Sequence, residues 1–554
     1  MRAEIDVATP SAAGAPVALA SPSAKTRRRR TPDWFELLVL AAFAAVSMWV
    51  VALDVYRSAV HGLVWTGTDG FYIVDQMQYL AWIQEAARHV LAANLFVLRP
   101  TSADYFQPAV VISGAISALG VPPWLSLLLW KPVAVLAAFF GVRAYAHRSF
   151  DGMWTRRIAL VLGLFFGSLT IIYGSPGVLG DLFPAFLSWG YTFGLLAFAV
   201  MLFALLAYGR VRSSPGPVRL RSLLLPGLLG AMAGLLHPWQ GELIILVVIG
   251  AELVLWSLER RLPSRLALPV LTVVVTGLPL LYYLLLGRSD LSWKLARVAS
   301  KHSFSLATIV LAVVPLLLPA LLAYRKRPRT FLDAANRVWP VAALVIYVLS
   351  GSAVSATPLH AFEGITVPLS VLAIEGVRSV SWRRLPARRV IAAAPTRAMI
   401  VAVVVLAATV PAMVSELSAA RSAVTPAAGN PNFITRDERA ALRYLAKDPL
   451  PGGVFTRFYL GTVVPAETGR RTYVGDCLWS EPDCAQRAQI TQMVFDGELP
   501  PASARWLVQQ LGARFVLADC DSRPDLDDVL APLTTSVHHF GCAAVYTLRG
   551  ASRA

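Results

Sequence analysis

Between two apolar blocks, residues 288–302 carry Arg288, Lys294, Arg297, Lys301 and His302 against a single acid, Asp290. Lys294, Arg297 and Lys301 follow at intervals of three and four, so a helix sets them on one face, with Leu291, Leu295 and Val298 opposite. A basic amphipathic helix at a membrane surface can hold a lipid phosphate; general attraction to anionic headgroups is the plainer reading. Asp181, His237, Glu242, His360 and Glu363 lie within or at the ends of apolar blocks. An ionisable group costs roughly 2.5–3.5 kcal/mol at the centre of a membrane helix, so such residues point to a polar cavity. A lone histidine there is otherwise an interfacial hydrogen-bonder.

Residues 66–83 read Thr-Gly-Thr-Asp69-Gly-Phe-Tyr-Ile-Val-Asp75-Gln-Met-Gln-Tyr79-Leu-Ala-Trp82-Ile. From Asp75 onward Met77, Leu80, Ile83, Ala87 and Val90 form an apolar stripe at helical spacing, which predicts a helix lying flat on the outer membrane surface. Asp75 stands at its start, where the helix dipole favours a carboxylate whether or not it has a further role. Asp69 precedes Gly70, a common turn pair.

The elements that must position these residues are membrane helices. Apolar residues make up 56% of the chain and charged residues 15%, well below the quarter usual in soluble domains. The apolar residues come in blocks of bilayer-spanning length: 34–55, 124–142, 157–173, 190–209, 221–238, 241–258, 266–286, 305–324, 338–355, 361–378 and 397–416. A twelfth, 107–121, is short and broken by Gly and Pro. The net charge of +17 is clustered in loops between blocks, a topology signal and no sign of a nucleic-acid partner. Five Arg-rich loops share one side only if 107–142 crosses once. This makes 107–121 a partial helix joined through Val121-Pro122-Pro123, and gives about eleven spans.

Residues 1–33 end in Lys25-Thr-Arg27-Arg28-Arg29-Arg30 and are expected to form a disordered cytoplasmic tail without a cleavable signal. The pieces expected outside are a loop over 56–106, the loop 287–304, and a tail over 417–554. All four cysteines lie in that tail, which suggests an oxidising compartment and two disulfides. Of three connectivities, Cys477–Cys484 with Cys520–Cys542 is preferred; four free thiols are the alternative. The tail reads as a small α/β domain, with strands over 454–459, 471–474, 515–518 and 543–548. Helices are expected over 435–446, where Thr435 and Glu438 make a capping box, and over 502–511. Trp479, Trp506 and Tyr473 could stack on sugar rings or simply pack. No P-loop, nucleophile elbow or His/Cys zinc spacing is present.

An acidic residue just beyond the first span, leading into Asp75-Gln-Met-Gln-Tyr79-Leu-Ala, resembles the GT-C superfamily of integral membrane glycosyltransferases, actinobacterial members most. His237-Pro238-Trp239-Gln240 and His360-Ala-Phe-Glu363-Gly364 with Pro368 are similar to further family segments. The resemblance implies a GT-C-like, α-helical polytopic fold with a C-terminal extracytoplasmic domain in the cytoplasmic membrane. It also implies inverting transfer of a hexosyl or pentosyl group from a polyprenyl-phosphate carrier to a glycan, lipid or protein acceptor of the cell envelope. Asp75 would then take the acceptor proton, with Asp69 as second choice. Lys294, Arg297, Lys301, His302 and His237 would face the lipid phosphate. Some members carry an Asp-Glu or Asp-x-Asp pair at the site; this sequence has no such pair there, which leaves a divalent ion, Mg2+ or Mn2+, open. A lipid-linked-sugar flippase and an inactive GT-C-like binding protein are the competing readings, since fold resemblance does not establish activity.

Overall fold

The computed structural model describes residues 31–70, 72–169, 182–260, 265–299, 305–350, 358–379 and 394–549. Asp181, Lys301, His302 and the basic tail as far as Arg30 lie outside the described residues.

Each of the eleven apolar blocks contains a helix. Among the described residues, eight helices are long and apolar enough to cross a bilayer: α1 (Trp34–His61), the nearly continuous α4 (Pro123–Leu128) and α5 (Trp130–Ser149), α8 (Thr192–Arg212), α10 (Pro238–Glu259), α11 (Ala267–Ser289), α13 (Leu306–Leu321) with its 3-10 extension to Arg325, α14 (Phe331–Ser350) and α16 (Ala394–Ala423). Three shorter helices fill the remaining blocks: α6 (Met153–Phe165), α9 (Leu220–Leu236) and α15 (Thr366–Ser379). Block 107–121 folds as α3 (Pro108–Ala118), 11 residues long. At 1.5 Å per residue that is roughly 16 Å, about half the hydrocarbon thickness.

Contacts order the two ends of the bundle. At one end Asp33 and Glu36 form the capping box of α1, and both carboxylates gather basic groups. Arg157 stands 2.9 Å from Asp33, and Arg143 2.9 Å from Glu36. Arg212 meets Glu252 at 2.8 Å, joining the ends of α8 and α10. At the far end of α1, buried Asp54 accepts from Asn432 Nδ2 at 2.7 Å, just before the C-terminal domain. The loop between α5 and α6 and that domain therefore sit at opposite ends of α1. Helix α16 continues to Ala423, past residue 417.

The domain contains a sheet ordered β5 (Val454–Thr456), β6 (Phe515–Ala518), β8 (Ala543–Leu548), β7 (Thr534–Phe540), parallel between β5 and β6 and antiparallel elsewhere. Helices α17 (Arg436–Lys447), capped by Thr435 and Glu438, and α20 (Pro501–Gln510) match the sequence reading. The strand expected over 454–459 stops at Thr456, and the chain turns into helix α18 (Phe458–Thr468). Segment 471–474 contributes only an isolated bridge from Thr472 to Val454. Strand β7 escapes a sequence reading because its Thr-Thr-Ser-Val-His-His-Phe is almost wholly exposed and has no apolar alternation. Helix α19 (Cys484–Phe495) was also unanticipated.

Helix α2 (Ile73–His89) does not use its stripe to lie on a bilayer. It is packed between α3 and α18, so Met77, Leu80 and Ile83 are buried in protein. Gly114 of α3 permits the close crossing: a Cβ there would stand 2.7 Å from the Ala86 carbonyl carbon. Val90 ends the helix at φ +69° and is exposed. Domain and membrane region are joined without a linker. Asn94 Nδ2 donates to Trp479 O at 2.9 Å, Ser480 Oγ to Phe96 O at 2.9 Å, and the Thr472 amide to Leu95 O at 2.9 Å.

Candidate functional site

Where the first loop, the membrane helices and the C-terminal domain meet, they enclose a cavity of about 610 Å³. Asp75, in the first turn of α2, lines it. The start of α2 is fixed from behind. The Gln76 side chain receives a hydrogen bond from the Asp69 amide at 3.0 Å, and its own amide donates to the Asp69 carbonyl. Gly70 lies at φ +71°, where a Cβ would meet the Trp189 carbonyl oxygen at 2.0 Å.

One wall is aromatic. Trp82 of α2, Tyr105 of β3 (Ala103–Tyr105), Trp293 of α12 (Leu291–Ala299) and Trp479 of the C-terminal domain meet with ring centroids 4.0–5.3 Å apart in successive pairs. Apolar side chains line it as well. Leu236 ends α9, while Leu280, Leu281 and Leu284 belong to α11. Leu281 and Leu284 are exposed.

A polar group borders the cavity. Fully buried Glu363 accepts from Gln240 Nε2 at 2.8 Å and lies 2.8 Å from His360 Nδ1 and 3.2 Å from His237 Nδ1. The other nitrogen of His237 is 2.9 Å from the Tyr191 hydroxyl, and the Tyr191 ring stacks on His360. Glu363 is therefore behind the wall, orienting two histidines that reach the cavity. Glu242 of α10 lines it as well.

Disulfides join Cys477 to Cys484 and Cys520 to Cys542. The first closes a loop whose Leu478 and Trp479 point into the cavity. At the loop's base Asp476 is buried and accepts from the Leu478 amide at 2.8 Å. Burial, and then the neighbouring Asp75 charge, hold the Asp476 carboxyl well above the usual carboxylate range.

Two sequence expectations are corrected. Asp69 does not line the cavity; its carboxylate forms a buried ion pair with Lys131 of α5, so it is tied up holding the loop. Of the described part of the basic face, only Arg297 reaches the cavity. Lys294 is exposed, because α12 turns Trp293, Ala296 and Arg297 inward. Among the expected polar residues, His237, Glu242 and His360 converge with Asp75. Sequence reasoning missed Lys131, Trp82, Tyr105, Tyr191 and Trp293. A lysine in an apolar span was a readable signal, whereas the aromatics carry none until the elements meet. Trp506 is 63% exposed on the far side, and Tyr473 packs against Phe455 in the domain.

The apo oligosaccharyltransferase of Archaeoglobus fulgidus superposes with a TM-score of 0.52 at 15% identity, over 88% of this chain and 70% of that one. Its complex with zinc and sulfate gives 0.50 at 16% identity, over 87% and 68%. The mycobacterial arabinofuranosyltransferase AftD gives 0.51 at 16% identity, over 92% of this chain but 41% of that one. This chain has the GT-C fold. No family model and no curated protein matches the sequence. At this identity the likeness establishes architecture alone.

Proposed function

We propose that this GT-C-fold protein transfers a sugar from a polyprenyl-phosphate carrier to a cell-envelope acceptor at the outer face of the cytoplasmic membrane. The observation that carries the reading is a carboxylate, Asp75, on a cavity that leucines, aromatic rings and Arg297 also line. The acceptor hydroxyl oxygen attacks the anomeric carbon while Asp75 takes its proton. The bond from that carbon to the phosphate oxygen breaks, and the polyprenyl phosphate leaves with the electron pair. A phosphate is already acidic, so it needs a cation and no proton; Arg297 is placed to supply one. Attack opposite the leaving group inverts the anomeric centre.

Sidedness follows from two signals: Arg-rich loops favour the cytoplasm, and disulfides favour an oxidising compartment. A divalent ion fits a group beside the cavity. His237, His360 and Glu363 offer two imidazole nitrogens and a carboxylate oxygen within 4.8 Å of one another. Two imidazoles and a carboxylate suit Mn2+ or Zn2+ better than Mg2+. An ion held there would add positive charge beside the leaving phosphate.

The test uses purified full-length protein in lipid, radiolabelled polyprenyl-phosphate sugars and envelope glycan, lipid and protein fractions as acceptors. Asp75→Asn should lose at least about 100-fold in transfer rate while keeping its melting temperature. Undiminished transfer by Asp75→Asn would remove the base assignment. Movement of lipid-linked sugar across vesicles, with no transfer by the wild type, would make the protein a flippase.

A further inference from the structure

Beside the α5–α6 loop, at the end of α1 away from the C-terminal domain, lies a second cavity of about 410 Å³. Three arginines from three segments line it: Arg148 near the end of α5, Arg212 at the end of α8 and Arg329 just before α14. Buried Phe331 lines it too and packs on the Tyr208 ring, with centroids 4.4 Å apart. A Cβ on Gly209 would stand 3.3 Å from Phe331 Cδ1, so α8 and the start of α14 meet closely here.

The three cations are not equivalent. Arg212 is fixed in place: its Nε donates to Glu252 Oε1 at 2.8 Å, and the same oxygen accepts from the Tyr208 hydroxyl at 2.8 Å. Arg148 and Arg329 are exposed and have no carboxylate partner among the described residues; Arg148 reaches the Ser213 hydroxyl at 3.4 Å. Neighbouring arginines are matched instead, Arg143 by Glu36, Arg157 by Asp33 and Arg337 by Glu375. The acid in the lining, Asp151, has a side chain 98% exposed and 4.0 Å from Arg156. Asp333, in the first turn of α14, accepts from the amides of Arg329 and Thr330. The cavity therefore carries more positive charge than the acids around it neutralise.

Its depth in the bilayer is marked by tryptophan. Trp154, three residues beyond Asp151, is exposed, and Arg157 lies over its ring and over that of exposed Trp34. Tryptophan at the ends of membrane helices sits at headgroup level. Guanidinium groups there match a phosphate in charge and donor geometry, and basic pockets between membrane helices hold anionic headgroups.

We infer that this cavity binds the headgroup of an anionic phospholipid, with Arg148 and Arg329 on its phosphate and Arg212 as a fixed third cation. The headgroup depth favours a lipid over a soluble phosphate. The site is built from other residues than the Asp75 cavity and stands whether or not the protein transfers sugar.

The experiment reads binding alone. Full-length protein in a neutral detergent is titrated with short-chain phosphatidylglycerol, short-chain phosphatidylcholine and glycerol 3-phosphate, following melting temperature and, by native mass spectrometry, the lipid retained. Phosphatidylglycerol should bind saturably and raise the melting temperature, with the other two at least about tenfold weaker. Arg148→Gln with Arg329→Gln should lose about tenfold or more in that affinity. Arg325→Gln with Arg327→Gln removes two exposed charges that do not line the cavity and should leave it unchanged. Equal losses in the two double variants would make the attraction diffuse and overturn the site. Glycerol 3-phosphate binding as tightly as the lipid would overturn the lipid assignment, and unsaturable phosphatidylglycerol binding to the wild type would overturn both.

Discussion

Asp69 and Asp75 stand six positions apart on one loop, yet the fold gives them opposite environments. Lys131 closes on Asp69 with both side chains buried, whereas Asp75 opens on the cavity. Removing one partner of a buried pair leaves a bare charge at a cost of about 3–5 kcal/mol. Lys131→Met should therefore lower the melting temperature strongly, and Lys131→Met with Asp69→Asn should recover most of that loss in thermal denaturation. A single side chain also separates Arg297 from Lys294. Arg297→Gln should raise the donor KM about tenfold, while exposed Lys294→Gln leaves it unchanged; equal effects would mean diffuse electrostatics. Asp476 gives a pH dependence. Its folded carboxyl keeps its proton above the unfolded value of about 3.9, because of burial and then Asp75. Its contribution to stability is thus full below the unfolded pKa and is lost as pH rises through the folded one. Asp476→Asn should melt with a shallower decline than wild type as pH rises above the unfolded carboxylate value.

The elements explain why the site is rigid. Helix α2 has no side-chain cap at Tyr72; Gln76 reaching back to Asp69 and the left-handed turn at Gly70 hold its start instead. Gly70→Ala should abolish transfer with Asp75 intact, because a Cβ would push the turn off Trp189 and move the base. The two disulfides should separate by function. Replacing Cys477 and Cys484 by serine frees a short loop worth about 2–3 kcal/mol by the chain-entropy model and should also slow transfer, since Leu478 and Trp479 on that loop line the cavity. Replacing Cys520 and Cys542 should reduce stability alone, since neither residue lines the cavity. Calorimetry with a transfer assay reads both.

For the whole molecule, the reading depends on one polarity: Arg-rich loops at one end, cavity and disulfides at the other. Alkaline phosphatase fused after Ala423 should be active, and fused after Arg212 or Arg325 inactive; the reverse pattern would place the site in the cytoplasm. Much of this architecture was legible in the chain. Blocks of about twenty apolar residues have few folds open to them in a bilayer, and the parity of the Arg loops singled out 107–121 as the partial helix that it is. Asp75, His237, Glu242, Arg297 and His360 were legible too, since an ionisable residue beside an apolar span is a costly and therefore informative choice. Tertiary structure alone decided how these residues divide their roles. Neighbour contacts, and not sequence spacing, buried Asp69 against Lys131, turned Lys294 outward, placed Glu363 behind two histidines and covered the α2 stripe with protein. The aromatic wall lay furthest from view. Its rings come from residues 82, 105, 293 and 479, and an aromatic residue in a hydrophobic chain has no distinguishing mark until the fold brings four of them around one space.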